Sequence, residues 1–147
     1  MKSQVFCAAT AGLVLALAAA GVADERDVAE QLYEAGAALY QAKDYDGAMA
    51  KYLAIVEMAT ARANTRTGAA FHVARCWEEK GQEDKAVEWF NRTIELGHPL
   101  WVVQAYHRLG RLRYMHHDHA GAMPYFKQAV AGSGVFVPWP AGGSQPF

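Results

Sequence analysis

Cysteine is scarce in this sequence, with only Cys7 and Cys76 among 147 residues. Cys7 lies in an N-terminal segment that has the features of a removable leader, so the mature chain would retain Cys76 alone and could form no internal disulfide. A domain without such a crosslink depends on its apolar core, and the remaining chain is long enough to build one. We expect Cys76 inside a helix, as a small buried residue and not as a catalytic thiol.

An excess of charge of one sign is also missing. Lysine and arginine number 14 against 15 aspartate and glutamate residues, which gives a formal net charge of -1. Binding to nucleic acid or to an anionic membrane through bulk charge is therefore not indicated.

Motifs of the common enzyme classes are lacking as well. The sequence has no glycine-rich phosphate loop, and the serines beyond the N-terminal segment, Ser133 and Ser144, do not occupy a nucleophile elbow. Glu78 and Glu79 are adjacent, so they point in different directions on a helix and cannot share a substrate. We predict a protein that is not an enzyme and has no cofactor.

Residues 1–23 have the composition of a secretory signal peptide. Lys2 is followed by an apolar stretch that is strongest over residues 13–17, and then by small residues ending at Ala23. This order predicts cleavage and export, to a bacterial periplasm or the medium, with no membrane insertion afterwards. The alternative is an uncleaved anchor, because residues 5–23 carry no charge; their high alanine content makes this stretch only weakly hydrophobic.

Three similar units follow one another after this segment. Their reference points, Ala48, Ala86 and Ala122, are 38 and 36 residues apart. In each unit a small residue precedes the alanine by 12 positions and an aromatic residue follows it by four. The small residues are Gly36, Ala74 and Gly110, and the aromatic residues are Tyr52, Phe90 and Phe126. Small residues are needed where two antiparallel helices approach closely, so each unit is predicted to be a helical hairpin.

The pattern resembles the tetratricopeptide repeat (TPR), with Ala29, Thr67 and Val103 as first positions. The resemblance implies an all-α, right-handed α-solenoid of three TPR helical hairpins, or six helices. The domain would span residues 24–132, with repeats at about 29–62, 67–100 and 103–132. Arg113 departs from the pattern, because the family has a large apolar residue at its position.

Caps and helix breakers predict where the six helices lie. We expect them at 27–42, 46–62, 65–79, 83–96, 99–115 and 119–131. Asn64 is expected to cap the third helix, Gly97 to end the fourth and Pro99 to open the fifth.

The chain ends in a Gly/Pro-rich, irregular tail at residues 133–147. A solenoid exposes an apolar face at its last repeat, so the tail is predicted to fold back as a cap on the last helix. The residues expected to form this cap are Val135, Phe136, Val137 and Trp139. Disorder of the tail and binding of a partner by the tail are the alternatives.

The resemblance also implies a binding groove, lined by the first helix of each repeat. The predicted groove residues are Tyr33, Tyr40, Phe71, Arg75, Gln104, His107, Arg108 and Arg111. Aromatic rings and guanidinium groups together suit a protein or peptide segment that carries a carboxylate or acidic side chain. We therefore predict a non-catalytic scaffold or adaptor of the cell envelope; a structural subunit of an envelope complex is an alternative with the same fold.

Charge is distributed unevenly along the chain. From Asp24 to Glu57 there are eight acidic and three basic residues, whereas from His98 onward there are four basic residues and one acidic residue. This asymmetry permits head-to-tail association, but open contacts of that kind risk filaments. We predict a monomer.

The stretch "RYMHHDHAGAM", residues 113–123, suggests a metal-binding or metal-sensing protein as a further alternative. His116 and His119 are the pair most able to converge, but neighbouring side chains on a turn diverge, which disfavours a zinc site. The repeat register instead places His117 at the turn position of Lys43 and Gly81, and Asp118 at the helix-capping position of Asp44. The register therefore predicts a hairpin turn here and no functional metal site.

Overall fold

The computed structural model describes residues 27–133, and within this range the chain forms six α-helices and no strand. They are α1 (27–41), α2 (Tyr45–Glu57), α3 (Ala63–Glu79), α4 (Glu83–Leu96), α5 (Pro99–Met115) and α6 (His119–Gly132). The predicted all-α solenoid of three helical hairpins is confirmed. The predicted signal peptide and the predicted tail cap both lie outside the described residues. None of the helices between residues 27 and 133 has the length and apolar character needed to cross a membrane.

The three hairpin turns share one backbone conformation. Lys43, Gly81 and His117 have φ values of 64°, 69° and 62°, so each turn passes through the left-handed region at the same position. Asp44 and Asp118 then cap the following helices, each accepting a hydrogen bond from the backbone amide three residues on, at 2.9 and 2.8 Å. The predicted register of the histidine-rich stretch is confirmed, because its turn matches the other two.

Within the hairpins, aromatic rings lie against the small residues of the facing helix. A Cβ added to Gly36 would lie 2.9 Å from the Tyr52 ring, and one added to Gly110 would lie 2.8 Å from the Phe126 ring. Tyr52 is fully buried, as is Phe90 in the second hairpin. The spacing of small and aromatic residues thus sets how closely each pair of helices packs.

The two layers of helices pack differently. Among α2 to α6, α3 contacts α5, whereas α2 does not contact α4 and α4 does not contact α6. Side chains of α1 reach α3 as well, as the Tyr40–Glu79 hydrogen bond shows. Because the odd-numbered helices are closer together than the even-numbered ones, the stack curves with the odd-numbered helices on its concave face.

Two helix boundaries differ from the prediction. α2 ends at Glu57 and not near residue 62, because Met58 is extended and the Arg66 Nε–H donates to the carbonyl oxygen of Val56 at 2.9 Å. This tertiary contact satisfies a carbonyl at the helix end and overrides the helix propensity of the alanines that follow.

The prediction that Asn64 caps α3 is also wrong. α3 begins at Ala63 without a side-chain cap, and the Asn64 side chain instead binds Trp101 of α5. The boundaries on either side of the link to α5 agree with prediction: Gly97, at φ 78°, ends α4 and Pro99 opens α5.

Candidate partner-binding surface

Tyr40 of α1 joins two charged side chains of α3 at the centre of the concave face. The Tyr40 hydroxyl donates to Glu79 Oε1 at 3.0 Å and accepts from Arg75 Nη2 at 2.6 Å. Arg75 also pairs with Glu79 at 3.6 Å, and its guanidinium carbon lies 5.1 Å from the centre of the Tyr40 ring. Burial, with a smaller contribution from the hydrogen bond to Glu79, raises the pKa of Tyr40 to about 12. Tyr40 therefore keeps its proton and holds α1 against α3.

Glu78 joins α3 to α5 in the same way. Its carboxylate accepts hydrogen bonds from Arg111 Nη2 at 2.6 Å and from Arg108 Nη1 at 3.4 Å. Only 11% of the Glu78 side chain is exposed, against 46% for Arg111. Burial lowers the pKa of Arg108, although the nearby Glu78 charge opposes this effect. Arg108 remains charged, because an arginine in a protein is not deprotonated near neutral pH.

We refer to these six side chains as the central network: Tyr40, Arg75, Glu78, Glu79, Arg108 and Arg111. Its two hydrogen-bonded groups meet at the adjacent residues Glu78 and Glu79 of α3, so together they link one helix from each of the three hairpins. The network contains three guanidinium groups and two carboxylates. One positive charge is therefore uncompensated within the network. The sequence analysis did not predict the role of the two glutamates. They point in different directions, and for that reason Glu79 pairs with Arg75 whereas Glu78 pairs with Arg108 and Arg111.

Phe71 is not a groove residue, contrary to prediction. It is 4% exposed and lies in the apolar core between α3, α4 and α5, with its ring centroid 5.6 Å from that of Phe90 and 5.3 Å from that of Trp101. The indole of Trp101 covers it, because Gly68 has no side chain to hold that ring away: a Cβ there would lie 2.8 Å from the indole.

Gln104 and His107 lie apart from the central network, toward the C-terminal end. They line a shallow cleft between α5 and α6 together with Val103, Ala129, Val130 and Ser133. The His107 ring lies 6.0 Å from that of Phe126, measured between centroids. The structure therefore groups four of the predicted residues in the centre and separates these two from them.

Tyr33 lies in a separate cleft near the N-terminal ends of α1, α3 and α5, which we call the N-terminal cleft. This cleft has a volume of about 350 Å³ and is lined by Glu30, Tyr33, Glu34, Arg62, Asn64, Thr65 and Trp101. Burial raises the pKa of Tyr33 to about 12. Trp101 was not among the predicted groove residues, because it precedes Val103, the first position of the third repeat.

His72 fills the space beneath these rings. Its imidazole stacks on Tyr52 at 5.1 Å and meets the edges or faces of Tyr33 and Trp101 at 5.5 and 5.6 Å between centroids. Burial, and to a smaller extent the charge of Arg75, lowers the pKa of His72 to about 4. At neutral pH, His72 is therefore an uncharged packing residue.

His116 and His119, at the hairpin turn between α5 and α6, contact different side chains, and the His117 ring lies 6.2 Å from that of His119 between centroids. His116 Nε2 lies 2.5 Å from Glu83 Oε2 of α4, whereas the His119 ring packs on Tyr114 with 4.7 Å between centroids. Across residues 27–133, no three histidine, cysteine or acidic side chains are grouped so that they could hold a metal ion. Asp118 is already engaged, since it caps α6 and pairs with Arg113 at 3.1 Å.

Cys76 lies inside α3 and is fully buried, as predicted. Burial raises the pKa of its thiol to about 11. The thiol therefore stays protonated at neutral pH and is a poor nucleophile.

Comparison with known proteins bears on the fold. No protein-family model and no curated protein sequence matches this chain. Among solved structures, the chain is similar to MamA, known from its crystal structure, with 23% sequence identity and a TM-score of 0.60 over 71% of this chain. The chain spans 58% of the length of MamA. Together with the three hairpins, this likeness shows that the chain has a TPR-type helical repeat fold.

Proposed function

We propose that this protein is a non-catalytic scaffold that binds a segment of a partner protein along its concave face. The observation that carries the proposal is the central network, which ties α1, α3 and α5 together on that face. Side chains fixed in this way lose little conformational freedom when a partner binds, so more of the contact energy appears as affinity. Stacked helical repeats commonly bind partners on such extended concave surfaces.

The charge of the central network supports a partner that carries a carboxylate or an acidic side chain. Three guanidinium groups face two carboxylates, and Arg111, with 46% of its side chain exposed, is the most accessible of the three. A guanidinium group can bind a carboxylate through two parallel hydrogen bonds, which fixes the geometry of the bound group. We expect the partner to place an acidic group near Arg111.

Export and a monomeric state complete the proposal. Export is supported by the sequence of residues 1–23 and calls for a test of its own: N-terminal sequencing of the protein recovered from each cell fraction. A mature chain that starts after residue 23 in the exported fraction is the expected result. A full-length chain in the membrane fraction would favour the anchor.

Capture from a native cell-envelope fraction tests the scaffold function. The bait proteins are the wild type, a triple variant with Arg75, Arg108 and Arg111 changed to alanine, and the control variant Arg92→Ala. Arg92 lies on α4 and pairs with Glu95, outside the concave face. The proposal requires a protein that the wild type and the control retain and the triple variant loses.

The triple change removes cations that the glutamates of the network need, so folding has to be checked separately. Circular dichroism melting of each bait provides that check. Arg111→Ala is the milder variant, because Arg111 is the most exposed arginine of the network, and it should weaken capture without loss of the folded state. Identical protein sets on all four baits would refute binding at the central network.

A further inference from the structure

The N-terminal cleft combines two aromatic side chains with two carboxylates. Tyr33 of α1 and Trp101 of α5 line it, together with Glu30 and Glu34. Both rings contact His72, with centroid distances of 5.5 and 5.6 Å, so they lie around one site although they belong to the first and third hairpins.

The aromatic side of the cleft is held in place. The Trp101 Nε1–H donates to Asn64 Oδ1 at 2.7 Å, and the indole lies so close to Gly68 that a Cβ there would approach it to 2.8 Å. An indole fixed by a hydrogen bond at its edge and by a helix backbone beside it offers a ready surface for a ligand, because little rotamer freedom remains to be lost.

The carboxylates of the cleft are available to a ligand. Glu30 pairs with Arg62 at 2.8 Å, but half of the Glu30 side chain and 63% of the Arg62 side chain are exposed, so this pair is readily opened. Glu34 is exposed and forms no ion pair with any residue between 27 and 133. With one guanidinium against two carboxylates, the ionisable residues that line the cleft carry a net negative charge.

We propose that the N-terminal cleft binds a lysine or arginine side chain of the partner segment whose acidic group meets the central network. A cation is attracted both by the faces of tryptophan and tyrosine rings and by the carboxylates, whereas an anion is repelled by both. This inference rests on the proposed scaffold function and adds the chemistry of a second contact. The partner segment would carry opposite charges at positions that match the cleft and the network.

Nuclear magnetic resonance titration of the ¹⁵N-labelled protein tests the cleft without a known partner. The probes are acetyl-arginine amide and acetyl-lysine amide, with acetyl-glutamate amide and acetyl-leucine amide as controls. The Trp101 indole N–H and the Gly68 amide report on the cleft. We expect saturable shifts of both signals with the two cationic probes only, and weaker binding as salt is added.

Matched variants show which groups are responsible. Glu34→Gln should weaken the binding of the arginine probe by about two- to fivefold, and Trp101→Leu, followed through Gly68, by a similar factor. Glu57→Gln removes an exposed glutamate of α2 and should leave binding unchanged. Equal shifts with the glutamate probe, or equal binding by the wild type and Glu34→Gln, would overturn the proposal. Because Glu34 is exposed, its loss does not threaten folding.

Failure of this inference differs from failure of the scaffold function. A partner that is captured equally by the wild type and Glu34→Gln, but lost by the triple arginine variant, refutes the cationic contact and leaves the scaffold standing. A partner whose capture is weakened both by Glu34→Gln and by the triple arginine variant supports contacts at the N-terminal cleft and at the central network.

Discussion

His72 should make the stability of the fold depend on pH in a predictable way. Its pKa is lowered to about 4 in the folded chain, mainly by burial among aromatic rings, against about 6.5 in an unfolded chain. Between these values the unfolded state binds more protons than the folded state, so the free energy of unfolding falls as the pH falls. The stability that the fold gains from keeping His72 uncharged is fully present above the pKa of the unfolded state. It is lost progressively as the pH approaches the folded value.

The size of the effect follows from the two pKa values. One pKa unit corresponds to about 1.4 kcal/mol, so His72 should lower the free energy of unfolding by about 2 kcal/mol at about pH 5 and by about 3 kcal/mol below about pH 4. The higher of these pH values is the better test, because most carboxylates are still ionised there. A loss of about 2 kcal/mol is a large part of the stability of a small domain.

Urea denaturation at about pH 7 and about pH 5, followed by circular dichroism, measures the effect. The variant His72→Phe keeps an aromatic ring in the cluster but cannot titrate, and His107→Phe removes an exposed imidazole as a control. The wild type and the control should each lose about 2 kcal/mol more than His72→Phe on this change of pH. Equal losses by the wild type and His72→Phe would refute the assignment of the pH dependence to His72.

Three further changes, each followed by thermal or urea denaturation, test the helix packing, the turn conformation and the helix capping of the hairpins. Gly110→Ala should destabilise the protein by about 1–3 kcal/mol, because the new methyl group would meet the Phe126 ring; adding Phe126→Leu should recover part of the loss, and no recovery would argue against the clash. His117→Gly should stabilise the protein by about 1 kcal/mol, because His117 has the left-handed conformation that Gly81 adopts in the second hairpin; a destabilised variant would contradict this. Asp44→Ala should cost about 1 kcal/mol through loss of the cap of α2, whereas Asp44→Asn should cost less.

The three hairpins could be predicted from the sequence because the spacing of small and aromatic residues is local and recurs in each repeat. The small residues Gly36 and Gly110 recur at one spacing from the aromatic residues that they face, so packing and register could be read together. Asp118 was correctly assigned as a cap because Asp44 precedes a helix at the same position of the repeat. A turn with three histidines otherwise resembles a metal motif.

The candidate site could be predicted only in part, because its side chains meet across repeats. Register placed Arg75, Arg108 and Arg111 on the concave face, but it could not show that the adjacent Glu78 and Glu79 pair with them. The roles of Phe71 and Trp101 depend on contact between α3 and α5. The consensus of a single repeat does not describe contacts between repeats, so it could not predict these roles.

The glutamates of the central network have a consequence for which ligands the concave face can select. Glu78 and Glu79 compete with the carboxylate of any ligand for the arginines, because each glutamate already forms an ion pair with an arginine of the network. Each glutamate is also tethered to the same chain, which gives it a high effective concentration. A small free carboxylic acid cannot match that concentration and should be rejected. An extended segment that makes additional contacts along the face can displace them. Because one ion pair then replaces another, the gain in affinity comes chiefly from those additional contacts.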